Sequence, residues 1–318
     1  MGAMVRPMAL MCAFVVGWFC PQGAVLSWTI PWFVRFMLFM TFLGLNVHKM
    51  KLRRSHFAIL ALNILIGVGA CAILRRMGYP ALATAAFFTG MAPTATAAPA
   101  IASFLRREVE YVVTSVLLTT FGIAIATPLL IPWAVGMETA APGAFFDAFL
   151  RVAWTVVTTI VAPIVAARLL RLVYPSAQTW TKRFKIATFY AWVLMVTVLA
   201  CRASQFIQDP KNGVSAFVLV ETLVVSLAIC ATNFTLGFFV GEKGLREEAS
   251  QSLGQKNTGA MIYFAVLYAD PLAALGPTLY VLWHNTWNAL QLQRLAIKDA
   301  KARRSAKRTE SAVDAAKE

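Results

Sequence analysis

Charged side chains are scarce in this chain. They make up 14% of its 318 residues, against 59% for hydrophobic side chains. A soluble domain carries nearer a quarter of charged residues, so the composition excludes an ordinary soluble protein and predicts an integral membrane protein. The apolar runs lack the alternation of apolar and polar residues that is typical of an outer-membrane barrel. We therefore expect an all-α protein, and at about 20 residues per span the chain has room for about ten transmembrane helices.

The chain also lacks the motifs of metal proteins and of enzymes. Its cysteines show no metal-ligand spacing, lie in or beside apolar runs, and are Cys12, Cys20, Cys71, Cys201 and Cys230. We expect inert buried thiols, no bound metal and no other cofactor. We find no paired aspartates in facing spans, no nucleophile elbow and no H-E-x-x-H. The prediction is a protein without catalytic residues, hence not an enzyme.

Acidic residues are scarcer than basic ones, 14 against 29, which gives a net charge of +15. In a soluble protein this excess would suggest nucleic-acid binding, but in a membrane protein lysine and arginine mark the cytoplasmic loops, so we expect no nucleic-acid partner. If the N-terminus is cytoplasmic and the spans alternate in direction, the loops on the other side of the membrane contain few basic residues. These are Arg75, Arg76, Arg151, Arg202 and Lys211. This bias predicts ten spans with both termini cytoplasmic, in a membrane that we expect to be a bacterial inner membrane.

The ten predicted spans fall at about residues 5–19, 30–47, 56–74, 80–105, 111–135, 149–173, 186–207, 214–240, 249–268 and 272–296. They form one membrane domain, residues 1–297. The halves, about 1–140 and 141–297, have five spans each and therefore opposite orientations, as in inverted-repeat transporters. The tail, 298–318, is polar and basic, so we expect it to be disordered or to lie on a surface, where anionic membrane lipids would attract it.

Two of the spans are interrupted by polar residues, glycine and proline. Span four contains TGMAPTATAAP at 89–99, and span nine contains SQSLGQKNTGA at 250–260. Each is the fourth span of its half, and matched broken spans are the best sequence pointer to a transporter's binding site, although single breaks are often mere kinks. We predict that the breaks cross at the membrane midplane and bind substrate or ion through Pro93, Thr94, Thr96, Ser252, Gln255, Lys256, Asn257 and Thr258.

A few further polar residues lie inside spans. Lys256 could attract an anion, or shed and regain a proton during transport, or simply pair with a carboxylate. Glu221, well inside span eight, could be the charge partner of Lys256 or of Arg35. His284 and Asn288 share one face of span ten and could line the core, or make packed polar contacts between helices.

These residues give the chain a resemblance to a known family. The run GQKNTG at 254–259 is similar to the E-x-G-x-Q-N-x-G motif of the bile acid:sodium symporter superfamily, and PTAT at 93–96 is similar to that family's span-four break. The helix that follows, with Thr119, Thr120 and Thr127-Pro128, also resembles the family. The resemblance covers nearly the whole chain. It implies a panel domain of spans one, two, six and seven that moves against a core domain to give alternating access to an organic anion.

The chain departs from the family at the sodium ligands that the resemblance implies. The family's span-nine glutamate falls on Ser252, a glutamine falls on Lys256, and a Ser-Asn pair in span four falls near Thr96-Ala97. A fixed ammonium about 4 Å from a sodium ion would repel it by about 4 kcal/mol at an effective dielectric near 20. We therefore expect a transporter of a small organic anion that does not use sodium and works by proton coupling, exchange or facilitated diffusion. The alternatives are a sodium-coupled symporter with a reshaped site and a non-transporting membrane sensor on the same fold.

Overall fold

The structure is a computed structural model that describes residues 5–45, 50–136, 143–212 and 214–315. Within these ranges the chain is almost entirely helical and forms no strand. Six of the helices described are long and apolar enough to cross a membrane, judged by length and composition. The prediction of an all-α membrane protein is confirmed. The count of ten spans depends on shorter helices as well and stays a prediction.

The α-helices follow the predicted spans closely. In chain order they are α1 Val5–Phe19, α2 Ile30–Gly44, α3 Arg54–Arg76, α4 Pro80–Gly90, α5 Ala98–Phe104, α6 Val109–Ala134, α7 Ala144–Val156, α8 Ala162–Val173, α9 Trp180–Arg183, α10 Lys185–Gln208, α11 Ala216–Val240, α12 Arg246–Gly254, α13 Thr258–Tyr268 and α14 Pro271–Ala315. Short 3-10 segments at Pro21–Thr29 and Pro175–Thr179 precede α2 and α9, and a π-helical turn at Val157–Val161 joins α7 to α8.

The end of the chain differs from the prediction. Helix α14 runs to Ala315, past the predicted end of span ten at Ala296. Of the two expectations for the tail, disorder is wrong up to that residue, and a position on a surface stays a prediction. The tail is rich in alanine, lysine, arginine and glutamate, which all favour helix. The predicted boundary between the halves, at residues 140 and 141, and the final residues 316–318 lie outside the described residues.

The helices pack into two groups. In the first, which we call the panel group, α1 and α2 pack on α10, α2 also packs on α8, and α7 continues into α8 through the π turn. In the second, the core group, α3 packs on α4 and α6, α11 packs on α12 and α14, and α4 and α13 pack on α14. The two groups also touch, because α6 packs on α7 and α10 packs on α14. The panel group consists of spans one, two, six and seven. The space between the two groups is where the candidate site lies.

Local sequence explains why two helices are broken. Helix α4 ends at Gly90, and Pro93 cannot donate a backbone hydrogen bond, so the chain leaves the helix until α5 begins at Ala98. Helix α12 ends at Gly254, where a Cβ atom would lie 2.3 Å from the Phe234 ring. These two interruptions, residues 91–97 and 255–257, are the two breaks that the sequence predicts.

Candidate functional site

The two breaks meet and pair through their backbones. The amide of Ala95 donates to the carbonyl oxygen of Gln255 at 2.7 Å, and the amide of Asn257 donates to the carbonyl oxygen of Pro93 at 2.7 Å. Thr94 and Lys256 thus face each other across a short antiparallel bridge. Backbone groups freed by a helix break must be paired inside a membrane, and each break satisfies the other. The two breaks therefore cross as predicted, and their position at the membrane midplane stays a prediction.

Thr94 locks this crossing in place. Its hydroxyl donates to the carbonyl oxygen of Ser252 at 2.7 Å, and its amide donates to Thr119 Oγ1 at 3.0 Å. The side chain is fully buried. Because its donors are taken by the protein, Thr94 holds α12 and α6 together and is not offered to a ligand.

Lys256 lies at the centre of the crossing with its ammonium pointing into the core group. Nζ donates to Asn63 Oδ1 of α3 and, at 2.9 Å, to the carbonyl oxygen of Gly90. The residue is only 2% exposed. Gly90 is the last residue of α4, and the C-terminal end of a helix carries partial negative charge. The ammonium is therefore held by an amide oxygen and a helix end.

Two residues of this arrangement were not predicted from the sequence. Asn63 was not among the predicted site residues, although it is a fully buried polar side chain in the middle of an apolar helix, which is itself a signal of function. Gly67 was also overlooked. A Cβ atom at Gly67 would lie 2.8 Å from the amide nitrogen of Met91, so the close approach of α3 to the first break requires glycine there.

A cavity of about 470 Å³ separates the crossing from the panel group. Its lining residues come from α2, α5, α9, α10, α13, α14 and both breaks. Of the predicted site residues it includes Thr96, Gln255, Lys256, Asn257, Thr258 and His284. Among its other lining residues, Met37 and Met40 of α2 and Phe189 and Trp192 of α10 give it an apolar wall, and no lining residue is acidic.

The cavity is open at one end and the groups are joined at the other. Lys185, an exposed residue at the start of α10, lines it. Tyr268, the last residue of α13, lies at the opposite end of the α7–α8 span. Its hydroxyl is 2.5 Å from Thr155 Oγ1 and donates to the Arg151 carbonyl oxygen at 3.1 Å. We call these contacts the Tyr268 latch. They connect core to panel on the side away from Lys185.

Three other predicted site residues form hydrogen bonds within the protein and do not face the cavity. Pro93, Ser252 and Asn288 are buried but do not line the cavity. Pro93 and Ser252 offer their carbonyl oxygens to the crossing, and Asn288 accepts a hydrogen bond from Gln255 Nε2. The lining position of His284 agrees with the prediction, whereas Asn288 forms the packed contact between helices that was the alternative.

The predicted charge pairs are not formed. Arg35 Nε donates to the Thr158 carbonyl oxygen of the π turn at 3.2 Å, and its guanidinium lies 4.9 Å from the centre of the Trp32 ring. Glu221 is half-buried on α11 and forms an ion pair with neither Lys256 nor Arg35. The reason is geometric, because Lys256 reaches the α3–α4 side of the core group instead.

Comparisons with known proteins assign no identity. The chain matches no protein-family model. No curated protein matches it either. Among the described residues no group of three or more histidine, cysteine or acidic side chains could hold a metal ion. The function is therefore inferred from the geometry of the crossing and its cavity.

Proposed function

We propose that this protein is a secondary transporter that moves a small organic anion by alternating access and does not use sodium. The observation that carries the proposal is the buried Lys256 ammonium at the crossing of two broken helices, bound to Asn63 and to the end of α4. The proposal includes the finer architecture predicted from the sequence. That architecture has ten spans in two inverted repeats, as in the bile acid:sodium symporter superfamily that the chain resembles.

Lys256 acts as a cation that is attached to the carrier. In a sodium-coupled carrier, an ion from solution neutralises the carbonyl dipoles at the broken helices and leaves again in every cycle. Here the Gly90 carbonyl and the Asn63 amide oxygen already have a positive partner. A sodium ion about 4 Å away would be repelled by about 4 kcal/mol, which weakens its binding about a thousandfold. We therefore expect that sodium does not drive the cycle.

The cavity supports the alternating-access part of the proposal. It lies between the panel and core groups, and the Tyr268 latch joins the groups at the other side. The charge bias assigns the segment that contains Lys185 to the cytoplasm, in what we take to be a bacterial inner membrane with both termini inside. In that orientation the open end of the cavity faces the cytoplasm, as expected of an inward-open carrier, and the proposed transport requires the latch to open as the cavity closes.

The cavity also supports an anionic substrate with an apolar body. No acidic residue lines it, so a negative group meets no repulsion, and Lys185 offers a positive charge at one end. Methionine and aromatic side chains supply the apolar wall, as ligand pockets usually require. The Lys256 ammonium is bonded to the protein, so it favours an anion by its field and not by a direct salt bridge.

Two measurements test the proposal. In the first, thermal unfolding of the purified full-length protein is compared in sodium chloride and potassium chloride. We expect equal stability, whereas a bound sodium ion at ten times its Kd would stabilise the fold by about 1.4 kcal/mol. Sodium-specific stabilisation of the wild-type protein would overturn the sodium-independent reading.

The second measurement is uptake in proteoliposomes of radiolabelled aliphatic monocarboxylates, dicarboxylates and a steroid carboxylate. We expect uptake of at least one class without sodium, its loss in Lys256→Gln, and its retention in Lys182→Gln. Lys182 is the matched control because it is an exposed lysine that does not line the cavity. Uptake that requires sodium would favour the reshaped symporter. No uptake of any anion by folded protein would overturn the proposed function.

A further inference from the structure

A second cavity lies between the panel and core groups, towards the other end of α10. It has a volume of about 450 Å³, and its walls come from α1 and α10 of the panel group and from α11 and α14 of the core group. Lys185 lines the first cavity, whereas the part of α10 that lines the second one lies between Ala200 and Ile207. At 1.5 Å per residue, Lys185 and Ala203 are about 27 Å apart along this helix. The two cavities therefore lie near opposite ends of α10.

The walls of the second cavity are apolar. Its lining residues are aliphatic or aromatic except Ser204, whose hydroxyl donates to the Trp18 carbonyl oxygen at 3.4 Å. A buried water needs about two to four polar partners, which these walls do not offer. An empty space of this size would forfeit packing contacts along all of its walls. Hydrocarbon is therefore the occupant that the walls favour.

The second cavity opens sideways between α1 and α11. Its lining residues Val15 and Trp18 of α1 and Val220 of α11 are exposed, whereas Ala203 of α10 and Leu275 of α14 are only 3% and 4% exposed. Helices α10 and α11 are among those long and apolar enough to cross a membrane. The exposed rim of such helices faces lipid chains, so the cavity is continuous with the hydrocarbon of the bilayer. We call this cavity the lateral groove.

We propose that the lateral groove binds one acyl chain of a membrane phospholipid. The chain enters between Val15 and Val220 and reaches Ala203 and Leu275. Inside a bilayer the gain in free energy does not come from leaving water, because the chain is already in hydrocarbon. It comes from dispersion contacts with walls that the protein itself leaves uncovered. The headgroup lies at the end of α1, where Trp18 belongs to a residue type that is typical of the membrane interface.

A chain in the lateral groove also acts on the arrangement of the two helix groups. The walls come from both groups, so a movement of the panel group against the core group changes the shape of the groove. A ligand that fits the observed shape favours the observed arrangement, in which the first cavity is open. This effect on the transport cycle rests on the proposed function, but acyl-chain binding does not. Failure of the uptake experiment therefore leaves the binding site standing.

The test uses the full-length protein in nanodiscs that contain a phospholipid with a photoactivatable diazirine near the end of one acyl chain. Cross-linked residues are identified by mass spectrometry after irradiation. Lipid around the protein reaches exposed side chains, whereas a chain in the groove also reaches the buried residues Ala203 and Leu275. We expect cross-links at these two residues. Cross-links confined to exposed residues would show ordinary surrounding lipid and overturn the proposal.

Two pairs of variants separate the groove from the rest of the lipid-facing surface. Val220 and Val224 lie one helical turn apart on α11 and are 54% and 58% exposed, but only Val220 lines the groove. We expect Val220→Trp to block the mouth and lower cross-linking at the buried residues about tenfold, and Val224→Trp to leave it unchanged. Val15→Trp and Val16→Trp repeat the comparison on α1, where only Val15 lines the groove. Equal cross-linking in all of these variants rejects the site.

Two other occupants of the groove are outcomes of the same experiment. If a photoactivatable steroid carboxylate labels Ala203 and Leu275 and the phospholipid does not, the groove is a second substrate site. If no lipid reaches these residues and the protein is a dimer in the nanodisc, a second copy of the chain covers the groove. Either result overturns the binding of a phospholipid chain.

Irradiation also tests the effect on the two helix groups, because it fixes the chain in the groove. The readout is the reaction of Thr96→Cys in the first cavity with a water-soluble thiol reagent, in a chain whose exposed Cys12 and Cys20 are replaced by serine. We expect faster labelling after irradiation, and no such change when Val220→Trp is added. A rate that irradiation leaves unchanged in both proteins would show that the bound chain does not favour the open first cavity.

Discussion

Asn63→Ala tests whether Asn63 holds the buried charge of Lys256. The substitution removes the amide oxygen that accepts from Nζ and leaves the ammonium with the Gly90 carbonyl as its remaining partner. A hydrogen bond to a charged group contributes about 1.5–3 kcal/mol, and a buried charge that loses a partner cannot recover it from water. We therefore expect Asn63→Ala to lower the free energy of unfolding by about 2–3 kcal/mol.

A second bond of Asn63 has to be separated from this effect. Nδ2 donates to the Ile59 carbonyl oxygen at 3.0 Å, a bond within α3 that alanine also loses. A double-mutant cycle with Lys256→Met removes that contribution, because it is lost whether or not the lysine is present. The coupling energy left over should be about 1.5–3 kcal/mol. Asn285→Ala provides the control. Asn285 lines the same cavity as Lys256 but forms no hydrogen bond with its ammonium, and it is buried and makes the same kind of bond, to the Val281 carbonyl oxygen.

The assay is reversible unfolding in lipid bicelles, by steric trapping or by titration with a denaturing detergent. Each of the two asparagine substitutions is measured with Lys256 present and with methionine at that position. We expect coupling for Asn63 and less than about 0.5 kcal/mol for Asn285, the usual limit for independent sites. Equal coupling for the two asparagines would refute the reasoning that Asn63 is a specific partner of the ammonium.

Three further predictions follow from the crossing and its cavity. Gly67→Ala should destabilise the protein by about 1–3 kcal/mol, because its Cβ would overlap the backbone of the first break. Gly69→Ala is the control and should not destabilise it, because Gly69 has open space around it. Equal unfolding temperatures of the two variants would contradict this prediction. Cys12 and Cys20 are exposed, against the expectation of buried thiols, so both are first replaced by serine. In that background Thr96→Cys should react with a water-soluble thiol reagent from the Lys185 side, and Thr94→Cys, fully buried, should not. Tyr268→Phe removes the latch hydroxyl, whose hydrogen bonds contribute about 1–2 kcal/mol. It should lower the ratio of cavity-open to cavity-closed protein about fivefold to thirtyfold and so slow the labelling of Thr96→Cys; an unchanged rate would show that the latch does not hold the cavity open.

The helices and the two breaks could be predicted because their signals are local. Apolar length marks a span, and glycine with proline marks a break, whatever the rest of the chain does. Helix α4 starts at Pro80 and α13 ends at Tyr268, as the sequence suggested. The disorder of the tail was wrongly predicted because low hydrophobicity indicates only that a segment lacks a core. It does not exclude a helix of good helix formers.

The contacts that the side chains of the site make could not be predicted from the sequence. Lys256 and Asn63 are far apart in the chain, and their contact depends on how closely α3 approaches the first break. Thr94 and Thr96 differ by two positions, yet one locks the crossing and the other lines the cavity. Which threonine faces the cavity depends on the backbone of a non-helical segment, for which the sequence has no periodicity to read.

Under the proposed transport function, the charge of Lys256 determines how transport can be energised. If Lys256 stays charged, carrier and monovalent anion move with almost no net charge, while the empty return moves one charge at about 2.3 kcal/mol per 100 mV. Exchange of one anion for another avoids that step, but net uptake needs the lysine to lose its proton before returning. Lys256→Arg, which cannot be deprotonated in a protein, should therefore retain exchange and lose net proton-driven uptake. Uptake of one radiolabelled anion, with and without the same anion inside the vesicles, separates the two modes. Net uptake by a folded arginine variant would show that the charge at the crossing never has to be released.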